Sequence, residues 1–112
     1  MTQFLAAAVL VAAAATAAPQ GTPIDVAASN WAFTPAKITL HAGVPTQLRF
    51  TSKEGVHGVA SSELGIPKTM LVPGKTVTLT VTPAKTGEYK VPCAVVCGAG
   101  HANMILTVDV VQ

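Results

Sequence analysis

"TVTLTVT", residues 76–82, sets Val77, Leu79 and Val81 on one parity and four threonines on the other. Successive side chains of a strand point to opposite faces, so an apolar residue at every second position marks a strand half-buried against a core. The same reading extends outward. "KITL" (Lys37–Leu40) places Ile38 and Leu40 on one face, and "TQLRF" (Thr46–Phe50) does so with Leu48 and Phe50. "EYKV" (Glu88–Val91) alternates as well, and "MILTVDVVQ" (Met104–Gln112) puts Met104, Leu106, Val108 and Val110 on one parity. Turn-forming stretches separate these runs: "HAGVP" after Leu40, "VPGK" before Thr76 and "PAKTGE" after Thr82. Short alternating strands at this spacing predict an all-β fold, an antiparallel β-sandwich of about seven strands. Residues 61–73, "SSELGIPKTMLVP", alternate poorly and read as a long connection.

The whole chain has 112 residues, half of them hydrophobic, which suits one small domain. Its formal charge of +2 is weak, its Lys and Arg are scattered, and a single Trp with a single Tyr makes no base-stacking platform. Nucleic acid is therefore excluded as a partner. The five Asp and Glu residues form no acid pair and no Ser/His/Asp spacing, so hydrolytic catalysis has no support either.

Residues 1–18 differ from the rest. "FLAAAVLVAAAATAA" (Phe4–Ala18) is an unbroken apolar run, followed by the polar "PQGTP". As a helix it would reach about 22 Å at ~1.5 Å per residue, short of a hydrocarbon core of roughly 30 Å. Ala15-Thr16-Ala17 fits the small-x-small pattern of a signal-peptidase site, although "MTQF" carries no Lys or Arg. The segment is read as a signal peptide or short membrane anchor, residues 19–23 as a linker, and residues 24–112 as the folded domain. That places the domain outside the cytoplasm, in the periplasm or on the outer face of the plasma membrane. It would be soluble there, or held to the membrane through residues 4–18.

"CAVVCGAGHANM", residues 93–104, holds both cysteines, one of the three histidines and one of the three methionines. The pattern is Cys93-x3-Cys97-x3-His101-x2-Met104, lying between a strand ending near Val91 and one starting near Met104. Such a loop can fold back and bring two thiolates, an imidazole and a thioether to one end of a sandwich. These soft and borderline donors select copper among biological metals. Gly98 and Gly100 are read as relieving steric limits where the chain curls around an ion. A further donor comes from "GVHG": His57, on a strand-like segment flanked by Gly55 and Gly58, can end at the same pole.

Other readings of these residues stand beside copper. On one of them, Cys93 and Cys97 would form a disulfide in an oxidising compartment, though so short a loop constrains the unfolded chain little. Cys93, Cys97, His57 and His101 suit a tetrahedral structural zinc. A redox dithiol lacks the CxxC spacing. His41 is read as a solvated turn residue, Met70 as core or surface or as packing near the copper pole, and Trp31 and Phe33 as packing or an electron-entry surface. Glu54 either orients the site or is simply exposed.

The loop resembles that of the CuA domain, a dinuclear-copper member of the cupredoxin superfamily found in subunit II of haem–copper cytochrome oxidases and in nitrous-oxide reductases. "TSKEGVHGV" is similar to the segment carrying that family's first histidine. "KTGEYKVPCAVVCGAGHANM" is similar to the family's strand and loop throughout, and the likeness runs over residues 27–111. It implies a cupredoxin-like Greek-key sandwich with two copper ions. Cys93 and Cys97 would bridge them, His57 and His101 would each bind one copper, and Met104 and the backbone carbonyl of Val95 would be weak ligands. It also implies an electron-transfer role with no catalysis by the chain alone. Electrons would come from a cytochrome c or another cupredoxin and pass to the catalytic subunit of a haem–copper terminal oxidase. Many family members carry Glu where this chain has Val95, and that Glu helps bind magnesium; valine leaves the copper ligand intact and puts the magnesium site in doubt. The membrane hairpin common in subunit II and a tryptophan-rich patch for docking cytochrome c are also missing from the pattern. A mononuclear blue-copper carrier using Cys97, His101, Met104 and His57, or a periplasmic copper-delivery protein, is the alternative.

Overall fold

A computed structural model of the chain describes residues 19–96 and 98–112. Nine strands follow in order: β1 (Ile24–Ser29), β2 (Ala32–Thr34), β3 (Lys37–His41), β4 (Thr46–Ser52), β5 (His57–Ser61), β6 (Ile66–Leu71), β7 (Val77–Val81), β8 (Gly87–Pro92) and β9 (Ile105–Val111). The only described helical element is a 3-10 turn at His101–Asn103. Among the described residues no helix is long and apolar enough to cross a membrane. The apolar run Phe4–Ala18 lies outside them.

Each strand read from alternation is present, and its burial follows the parity. In β3 the sequence Lys-Ile-Thr-Leu-His alternates exposed and buried, and in β4 Thr46, Leu48, Phe50 and Ser52 face inward. One sheet has the order β2-β1-β4-β7 and another β3-β9-β8, with β5 and β6 forming a two-stranded ladder. Val26, Leu48 and Phe50 from the first sheet meet Ile38, Leu40, Leu106 and Val108 from the second in one core, which Val59 and Leu71 of the hairpin join. This is the expected sandwich.

Three details go beyond the expectation. Segment 61–73 is more than a connection, because it contributes β6, paired antiparallel with β5. Its burial is irregular, with only Ile66 and Leu71 fully inside and Pro67 between them, as an edge strand permits. The three-residue β2 is too short to show a period. With these the described residues form nine strands, where about seven were expected. Finally, β1 pairs parallel with β4, and β3 parallel with β9. Parallel partners need a crossover between them, and here β3 lies in the opposite sheet between β1 and β4 in sequence. The remaining strand pairs are antiparallel.

Strand ends decide where the loops meet. β5 begins, β8 ends and β9 begins at one pole. There the N–H of Cys93 donates to the carbonyl of Met104 at 2.9 Å, and the N–H of Ala94 donates to the carbonyl of Gly58, also at 2.9 Å.

Candidate metal centre

His57 opens β5 and is wholly buried. The turn before it determines which of its nitrogens is committed. Ser52 Oγ lies 2.6 Å from the Gly55 carbonyl and 3.1 Å from that of Glu54. Gly55 adopts φ +74°, in the left-handed region where glycine avoids the Cβ penalty. A Cβ there would also stand 3.2 Å from His57 Nε2 and 2.8 Å from Asn30 Oδ1. So tightened, the turn aims the Glu54 carbonyl at His57 Nε2, 2.8 Å away. A carbonyl only accepts, so Nε2 carries the proton and Nδ1 holds a lone pair. That Nδ1 is buried with no hydrogen-bond partner.

An acceptor buried without a partner costs roughly 1–3 kcal/mol. A metal ligand explains the cost, since ligating histidines typically donate their second nitrogen to a carbonyl or carboxylate and turn the bare one to the ion. His57 fits a metal ligand acting through Nδ1, with Nε2 held by the Glu54 carbonyl.

The loop from Cys93 onward brings further donors to this pole. Cys93 is nearly inaccessible and carries a free thiol, so it is not in a disulfide. Its Sγ donates to the carbonyl of Val95 at 3.4 Å, which puts that carbonyl and the sulfur on one side. Met104 is fully buried at the other end of the loop. His101, half-buried, begins the 3-10 turn, and its carbonyl accepts from the Met104 N–H at 3.3 Å. Gly58, next to His57, lies flush against the loop: a Cβ on it would be 3.2 Å from Val95 Cγ1. His57, Cys93, Val95 and Met104 thus share the pole where β5, β8 and β9 meet. Among the described residues no three His, Cys, Asp or Glu side chains form a cluster able to hold a metal. Cys97, expected at the centre of the set, lies outside the described residues, and Met104 is not of those four types.

His41 ends β3 in an exposed position, its Nδ1 3.0 Å from the Gln112 carbonyl. Phe33 is core, whereas Met70 is exposed on β6 opposite Gly58. Glu54 has a double role: its carbonyl orients His57, and its Oε1 accepts the Asn30 N–H at 3.2 Å. Ser52 and Asn30 were not singled out from the sequence. Neither has a spacing signal, because their partners are set by the shape of the 52–57 turn. Trp31 lies over Gly98 and Gly100 of the loop.

Comparison with known proteins agrees with this architecture. A family model described as a cupredoxin-like domain matches residues 2–106. Subunit 2 of cytochrome c oxidase from Thermus thermophilus is 30% identical over 92 residues, 82% of this chain and 67% of that protein. A chain in the cryo-EM structure of a haem–copper terminal oxidase dimer superposes with a TM-score of 0.67 at 26% identity, over 80% of this chain and 65% of that one. The periplasmic domain of subunit II of cytochrome oxidase (CoxB) of Bradyrhizobium japonicum superposes with a TM-score of 0.74 over 85% of this chain and 87% of that one. At 17% identity it speaks to the fold alone. The chain thus spans about two thirds of the first two relatives.

Proposed function

Because the chain belongs to the cupredoxin-like family, as a domain like subunit II of cytochrome c oxidase, we propose that it is an electron-transfer module holding a dinuclear CuA centre. Cys93 and Cys97 would bridge two copper ions, His57 and His101 would each bind one, and Met104 with the Val95 carbonyl would complete the set as weak ligands. When bound, such a centre supplies one-electron transfer with the charge shared over two metals. The observation that carries the reading is His57: a buried imidazole whose Nε2–H is held by a carbonyl while Nδ1 has no partner.

The protein's own part is to hold the donors still and dry. His57 is fixed in one tautomer by Glu54, and its ring is locked by burial at the start of a paired strand. Cys93 and Met104 are tied to each other through the backbone at the two ends of the loop. Ligands held this firmly change little between redox states. To hold copper, Cys93 would give up its thiol proton, which would free the Val95 carbonyl from that contact.

Among the described residues, Trp31, Val56, Met70, Val96 and Ile105 are the exposed large apolar ones. Val56, Val96 and Ile105 adjoin His57, Cys97 and Met104 in sequence, Met70 faces Gly58, and Trp31 lies on the loop glycines. Apolar exposure gathered at one pole supports a docking face there. We assign it to an electron donor, a cytochrome c or another cupredoxin, with the catalytic subunit of a haem–copper oxidase as acceptor. The likeness to a periplasmic domain of subunit II supports a place outside the cytoplasm.

Elemental analysis of the full chain after loading with excess copper and desalting tests the reading. Two copper ions per chain are expected, falling to one or none in Cys93→Ser. A wild-type chain that retains one copper would instead fit a mononuclear carrier, and one that retains none would reject the copper role.

A further inference from the structure

Gly98 and Gly100 lie beneath the indole of Trp31. A Cβ at Gly98 would stand 2.7 Å from Nε1, and one at Gly100 would stand 2.6 Å from both Cβ and Cγ of the tryptophan. Carbon atoms in ordinary contact sit about 3.5–4.0 Å apart, so neither position admits a side chain while the ring is there. The two glycines differ in backbone. Gly98 has φ +122°, which favours glycine in any surroundings. Gly100 has φ −90° and ψ 8°, a conformation open to other residues. Its lack of a side chain is therefore demanded by the ring and not by the turn, a correction to the reading that both glycines serve chain curvature.

The ring is itself anchored. Trp31 follows Asn30, whose N–H donates to Glu54 Oε1 at 3.2 Å. The residue that orients His57 through its carbonyl thus holds the Trp31 turn through its carboxylate. Beneath the ring, the backbone hydrogen bonds within residues 98–104 are 3.1–3.3 Å long, and Val96, Gly98 and Ala99 are exposed.

We propose that Trp31 is a positioning residue for the metal loop, its indole clamping Gly98 and Gly100 so that His101 is presented in one geometry and shielded from solvent and small chelators. This rests on the copper reading. The ring is not a ligand, and no electron need pass through it.

The experiment compares the full-length wild type with Trp31→Ala, Trp31→Phe, Gly100→Ala and the double variant Trp31→Ala/Gly100→Ala. The copper-loaded proteins are mixed with EDTA and copper loss is followed by the visible spectrum. Trp31→Ala is expected to lose copper about tenfold faster, the change that corresponds to losing a ring contact of about 1.4 kcal/mol. Trp31→Phe, which keeps a ring over the glycines, should stay within about threefold of wild type. Wild-type loss rates in Trp31→Ala would overturn the proposal. Urea unfolding of the same proteins without copper supplies an independent readout. Gly100→Ala should destabilise the chain with Trp31 present and cost far less once the indole is gone. Equal costs in the two backgrounds would show that the ring does not bear on Gly100, and would overturn the clamp. A wild type that binds no copper would instead overturn the copper reading, and the urea cycle would still decide whether the contact exists.

Discussion

His57 commits one nitrogen to Glu54 and leaves the other buried without a partner. In the copper-free chain that lone pair is a liability, and the hydrogen bond at Nε2 offsets only part of it. Replacing His57 with leucine, close to it in volume, removes both at once. Copper-free stability is accordingly expected to change by no more than about 1 kcal/mol, measured by urea unfolding. Added copper, which should stabilise the wild type, would leave His57→Leu much less stabilised. A loss of about 3 kcal/mol without metal would mean that the imidazole serves packing and not ligation. The proposed donor set was legible as a candidate because Cys93, Cys97, His101 and Met104 fall within twelve residues, where spacing alone groups them. His57 required a second segment, and its Gly55 and Gly58 neighbours marked it. The indole of Trp31 was not legible in this role. It meets the loop across 67 residues of chain, and of the two glycines that record the contact, Gly98 has an equally good local explanation in its positive φ.

Within the elements, stability follows the parity of the strands. Phe50 in β4 is fully buried between the sheets, while Thr78 of β7, on the neighbouring strand, faces solvent. Phe50→Ala should cost about 3–5 kcal/mol, a large share of the stability of so small a domain. Thr78→Ala should stay within about 0.5 kcal/mol. Urea midpoints of the two variants check this, and a comparable cost for both would mean that the core lies elsewhere. Strands β3, β4, β7 and β9 could be read from sequence because one of their faces is wet, which imprints alternation on the residue choice. The pattern failed for β6, where Pro67, Lys68 and Thr69 break the period in a strand that pairs only with β5. It failed also for β2, whose three residues span too little to repeat. Parallel pairing left no mark at all, because alternation reports which face is buried and not which neighbour lies alongside.

As a whole, the molecule is a small sandwich with the ends of three strands converging on one pole. On the proposed copper reading, burial of the donors there would link metal binding to folding, because the native state would assemble a ligand set that the unfolded chain lacks. At copper about a thousandfold above the dissociation constant, the native state should gain roughly 4 kcal/mol. Thermal unfolding before and after chelation would register the gain as a lower midpoint in the stripped protein. An unchanged midpoint would separate the metal from the fold. The central claim, one electron shared by two copper ions, is tested most directly by electron paramagnetic resonance of the copper-loaded full chain. Hyperfine splitting from two equivalent copper nuclei, lost in Cys93→Ser, is the expected result. Splitting from a single nucleus in the wild type would contradict the dinuclear centre.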